Sequence, residues 1–61
     1  MKTEKIKLYR MQLGMTQTDF ANMIGIDRSY LNQIENGKIR PGMATLEKIA
    51  RGLNKSLKDF F

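Results

Sequence analysis

Gly14, Gly25, Gly37, the Pro41-Gly42 pair and Asn54 recur along this chain and cut it into five short segments. Glycine enters the left-handed conformation that ends helices, asparagine tolerates it, and proline cannot continue a helix. No segment shows sustained alternation of apolar and polar residues with β-branched enrichment, so strands are not expected. The fold class that follows is all-α: a compact set of five short helices. Sixty-one residues make one domain, residues 1–61, near the lower size limit for a chain that folds alone.

Each segment carries its own start and stop. The first runs from about Glu4 to Leu13, with Thr3 as expected N-cap, Ile6, Tyr9 and Leu13 on one face, Arg10 at its edge and Gly14 as the stop. The second opens at Thr16, with Asp19 placed to complete a capping box, and Phe20, Ala21, Met23 and Ile24 as its apolar arc. Gly25 allows a sharp turn, Ile26 tucks inward, and Asp27 caps a third segment from Arg28 to Asn36. The fourth spans Met43 to Leu53, with Met43, Leu46, Ile49, Ala50 and Leu53 facing inward and Glu47 and Arg51 forming an i,i+4 pair. Gly52 is expected to weaken this helix by roughly 1 kcal/mol relative to alanine, and Asn54 to stop it. Ser56 then caps a last helix of one or two turns, with Asp59 three residues on and Leu57, Phe60 and Phe61 as its apolar content.

The third segment carries the chemistry. On a helical wheel Arg28, Asn32, Asn36, Ser29 and Gln33 span an arc of about 140°, while Tyr30, Leu31 and Ile34 fill the opposite side. The polar arc holds no acidic residue, whereas a solvated face would mix Glu with Lys. Arg, Asn and Gln are the side chains whose planar groups grip guanine or adenine edges bidentately in the major groove. Residues 17–36 thus read as two helices joined by a tight turn, with a base-reading face on the second.

Composition supports the same direction and removes others. Eleven Lys and Arg oppose six Asp and Glu, for a net charge of +5 and a pI of about 9.9, which suits a polyanionic partner. There is no cysteine for a disulfide or thiolate site and no histidine for a general base or zinc ligand. An enzyme, a metal centre and a cofactor are therefore not expected. The apolar runs are too short to span a bilayer, and no apolar stretch follows Met1-Lys2-Thr3-Glu4-Lys5 to make a signal peptide. A cytoplasmic protein that binds neither membrane nor small molecule is the expectation.

From Ile6 to Phe61, IKLYRMQLGMTQTDFANMIGIDRSYLNQIENGKIRPGMATLEKIARGLNKSLKDFF, the chain resembles the phage lambda-repressor and Cro-like helix-turn-helix family, also called the XRE family. Ala21 and Gly25 match the family's small residue and turn glycine, and Phe20, Ile24, Ile26, Leu31 and Ile34 its core positions. The resemblance implies a compact five-helix lambda-repressor-like DNA-binding domain. It implies base contacts from Arg28, Ser29, Asn32 and Gln33, and backbone contacts from Gln17, Asn36, Lys38 and Arg40. Tyr30 either packs at the core's edge or sends its hydroxyl to a phosphate. Arg10 and Glu35 match a structural ion pair. Asp27 stands where the family often has Ser or Thr, and Gly42 where a serine cap is common.

The function implied is a sequence-specific double-stranded DNA-binding transcriptional regulator, a repressor acting as a homodimer on a pseudo-palindromic operator. By resemblance and by leftover apolar content, the dimer surface falls on the last helix and the loop before it, including Lys55, Leu57 and Phe61. Two alternatives remain open: an antitoxin or restriction–modification controller of the same fold, and a protein-interaction module that does not bind DNA.

Overall fold

The computed structural model describes all residues, Met1–Phe61. Four α-helices, α1 (Glu4–Gln12), α2 (Gln17–Ile24), α3 (Arg28–Glu35) and α4 (Met43–Gly52), are followed by a 3₁₀ helix (Leu57–Phe60). The fifth helix is thus a tight 3₁₀ turn rather than an α-helix. No helix is long and apolar enough to cross a membrane.

Helix ends follow from single residues. Thr16 Oγ1 accepts from the Asp19 N–H at 3.0 Å, and the Asp27 carboxylate accepts from the Ser29 N–H at 2.9 Å. The Asp19 side chain does not return a bond to Thr16, so only half of the expected capping box forms. Thr3 does not cap α1: its backbone is already helical, at φ −69° and ψ −20°, rather than in the extended conformation of a capping residue, and its hydroxyl bonds none of the first amides. The carbonyls of Lys2 and Thr3 serve instead, accepting from Lys5 and Ile6, and Lys2 is itself held by a 2.7 Å bond from its N–H to the Phe60 carbonyl.

Three helices stop by the same device. The amides of Gly14, Gly37 and Asn54 bond to the carbonyls of Met11, Ile34 and Arg51, and the amides one residue on reach Arg10, Gln33 and Ala50. This is the Schellman arrangement, which needs a left-handed residue after the helix. Asn54 supplies it at φ +58°, the one non-glycine residue with positive φ.

Ten side chains form the core: Ile6, Phe20, Ala21, Leu31, Ile34, Leu46, Ile49, Ala50, Leu53 and Phe60. α2 packs on both α3 and α4, α1 packs on α3, and the 3₁₀ helix closes against α4. Phe60 is fully buried and meets Tyr9 edge-to-face, at 5.8 Å between ring centroids. Lys55 Nζ sits 4.5 Å above the same tyrosine ring.

Several expected core residues are exposed instead. Met23 and Met43 lie at the edges of their apolar arcs, Leu13 is the C-cap beyond the last residue of α1, and each is more than half exposed. Glu47 and Arg51 do not approach within 4.0 Å, each remaining solvated. Gly52 has a packing role the helical wheel did not reveal. A Cβ there would stand 2.6 Å from Ile24 Cγ2 and 3.0 Å from Phe20 Cε1, so its absence is what lets α4 close on α2.

Candidate nucleic-acid interface

Leu31 and Ile34 are buried without exposure, and Tyr30 and Ile26 pack partly buried against the core. This fixes the rotation of α3 about its axis. The opposite side, with Arg28, Ser29, Asn32, Gln33 and Asn36, is exposed. The five therefore form one polar surface with no carboxylate among them. Tyr30 sits between that surface and the core.

The surface is attached to the body by the Arg10–Glu35 pair, the one salt bridge closer than 4.0 Å. Arg10 Nε and Nη2 donate to the two carboxylate oxygens of Glu35 at 2.8 and 3.0 Å, and Nη1 donates to the Met15 carbonyl at 2.9 Å. This bidentate bond joins α1 to α3 and also secures the loop that leads into α2. The Arg10 side chain is 9% exposed and that of Glu35 1%.

Gln17, the first residue of α2, reaches the same place from the other side. Its Nε2 donates to Glu35 Oε1 at 3.2 Å, and its Oε1 accepts from Asn32 Nδ2 at 3.3 Å. Asn36 Nδ2 then donates to Asn32 Oδ1 at 3.2 Å. These bonds were not legible in the sequence, which places Gln17 and Asn32 on different helices without relating them. The two amide residues are joined because α2 and α3 cross with the α2 N-terminus beside the middle of α3.

Beyond α3, the loop from Gly37 holds Lys38 and Arg40 exposed, while Ile39 is half-buried and Pro41 buried. Alternation of outward cations with inward apolar residues makes the loop a fixed extension of the polar surface. Met1 and Thr3 line a shallow groove with Gly37, Lys38, Ile39 and Arg40, which brings the chain's amino end to this loop. Neither Lys38 nor Arg40 has a carboxylate within 4.0 Å. The remaining candidates lie elsewhere. Lys55 covers Tyr9, Leu57 packs partly against the core, and Phe61 is 57% exposed.

Comparison with known proteins agrees with this geometry. The helix-turn-helix (HTH_3) family model matches residues 6–60. Control protein C.MunI of a Mycoplasma species is 40% identical over 55 residues, 90% of this chain and 74% of its own. An uncharacterized helix-turn-helix-type transcriptional regulator of Archaeoglobus fulgidus is 35% identical over 57 residues, 93% of this chain and 81% of its own. The crystal structure of the restriction-modification controller protein C.AhdI from Aeromonas hydrophila superposes with a TM-score of 0.90 at 25% identity, over 97% of this chain and 89% of that one. This chain belongs to the helix-turn-helix (HTH_3) family of lambda-repressor-like domains.

Proposed function

We propose that this chain, a helix-turn-helix domain, is a sequence-specific regulator of transcription that binds double-stranded DNA, and that it acts as a repressor in the form of a homodimer. The observation that carries the reading is the exposed, acid-free face of α3, held in one orientation by a buried apolar side and a buried ion pair. In this reading α3 enters the major groove, with Arg28, Ser29, Asn32 and Gln33 meeting base edges. Gln17, Tyr30, Asn36, Lys38 and Arg40 meet the sugar-phosphate backbone and supply affinity, and the charges of Lys38 and Arg40 make it salt-dependent. Arg10 and Glu35 hold the scaffold. With no histidine or cysteine, the chain has no nucleophile–base set, and we assign it no enzymatic activity. Its place of action is with the DNA, in the cytoplasm of a bacterial cell.

One α3 helix spans only a few base pairs, so useful selectivity needs two copies. We assign the contact between copies to Lys55, Leu57 and the exposed ring of Phe61. A second reading, control of a restriction–modification system, is favoured by the two controller proteins that match along most of their own length.

Selection of bound duplexes from a random pool, at one stated salt concentration, tests the function. The expected result is a two-fold-related motif with half-sites about 34–36 Å apart. Binding without enrichment of any sequence, together with a monomeric mass at working concentration, would reject it.

A further inference from the structure

The hydrogen bonds that lead from α3 and Gln17 to the buried Glu35 carboxylate all donate toward it, and we propose from this that Gln17 is a positioning residue for base selection. It sets which end of the Asn32 and Asn36 carboxamides faces the duplex, without itself reading a base. The proposal rests on the DNA-reading role of α3 given above.

The direction is imposed by chemistry. A carboxylate only accepts hydrogen bonds and a guanidinium only donates them, whereas a carboxamide has one end of each kind. Glu35 Oε1, paired with Arg10 Nη2 at 3.0 Å, takes its second bond from Gln17 Nε2 at 3.2 Å. Reversing the Gln17 amide would press its oxygen against that carboxylate, acceptor to acceptor. Gln17 is therefore held with its oxygen toward α3, where Asn32 must answer with its nitrogen, at 3.3 Å. Asn32, turned this way, offers its oxygen to Asn36 Nδ2 at 3.2 Å. Three carboxamides thus take their order from one carboxylate whose side chain is 1% exposed.

This order matters for recognition. An asparagine that pairs with adenine accepts from N6 through its oxygen and donates to N7 through its N–H, and its selectivity depends on which is where. Here Asn32 has one N–H committed to Gln17 and one lone pair committed to Asn36, so its remaining donor and acceptor positions are fixed before any base arrives. Asn36 is left with its oxygen free at the end of the chain of bonds. A Gln17 that only touched phosphate would affect all sequences alike; a Gln17 that orders the amides affects the base that Asn32 faces.

The test uses the full chain with Gln17→Ala, the similarly long Gln17→Met, Asn32→Ala and the Gln17→Ala/Asn32→Ala double variant. Random-duplex selection at fixed salt is combined with NMR of the side-chain amides in free protein. Both Gln17 variants are expected to change preference by about fivefold or more at the positions that Asn32→Ala alters, leaving those that depend on Arg28 intact. In the Asn32→Ala background, Gln17→Ala adds no further change of preference, and the Asn32 and Asn36 amide resonances shift in both Gln17 variants. Uniform weakening on every sequence, or amide resonances that stay in place, overturns the proposal. If the unaltered chain selects no duplex, the DNA-reading role fails and the claim on base preference falls with it. The amide resonances then decide separately whether the ordered bonds exist.

Discussion

Gly52 and Ile24 approach so closely that a methyl group on Gly52 would stand 2.6 Å from Ile24 Cγ2. Helix propensity alone favours alanine at this position by about 1 kcal/mol. Overpacking a close contact costs about 1–3 kcal/mol, and Phe20 Cε1 would stand only 3.0 Å from the same methyl group. Gly52→Ala is therefore expected to bring no gain in stability and to cost up to about 2 kcal/mol, read from urea melts. In an Ile24→Ala background the same substitution should cost less, since the two residues are coupled. A stabilised Gly52→Ala variant would show that propensity, not packing, governs this turn.

Arg10→Ala leaves the Glu35 carboxylate buried with only Gln17 for company. Removing one member of a buried pair costs about 3–5 kcal/mol, a large share of the roughly 3–9 kcal/mol expected for a chain of this length. The melting temperature should fall steeply, with base preference changing less than stability. Replacing both members, Arg10→Met with Glu35→Leu, should recover most of the loss. A variant that stays stable but binds different sequences would contradict the structural role of Arg10.

Arg28 opens the polar arc of α3 and has no carboxylate within 4.0 Å. Arg28→Ala is expected to weaken binding to the selected duplex by on the order of 1–3 kcal/mol and to relax preference at one base position. Competition binding against single-base variants of the selected site checks both. Equal weakening across all of them would reassign Arg28 to phosphate.

The Asp59 carboxylate is held below its ordinary value, first by the Ser56 N–H at 2.9 Å; solvent loss opposes this, and the Ser56 hydroxyl, Lys55 and Lys58 assist. A group depressed on folding stabilises above its unfolded pKa, about 3.9 for Asp, and loses that contribution as pH falls through the folded value. The gap in melting temperature between the unaltered chain and Asp59→Ala should therefore stay constant from neutral pH to about pH 5, and narrow below. A gap independent of pH would rule out the carboxylate as its source.

What the sequence made legible was angular and local. The caps at Thr16 and Asp27 and the stops at Gly14, Gly37 and Asn54 depend on residues a few positions apart, and their chemistry is written in one segment. The polar arc of α3 follows from a wheel for the same reason. Gly52 and Gln17 were misread or half-read because a wheel gives direction but not the neighbour met there. The clash at Gly52 belongs to α2, and the partners of Gln17 to α1 and α3. Met23 and Met43 show the converse: residues at an arc's edge become core only if another element covers them, and Leu13, beyond the last residue of α1, is left uncovered in the same way.

The 2.7 Å bond from Lys2 to the Phe60 carbonyl makes the molecule a near-closed loop. Its two termini are adjacent, so a short peptide bridging them would cost little closure entropy in the folded state while restricting the unfolded chain. Backbone cyclisation, or a permuted chain reopened in an exposed turn away from α3, becomes a geometrically permitted rearrangement. The order of helices along the chain is then separable from their arrangement in space, and the arrangement alone sets the polar face of α3.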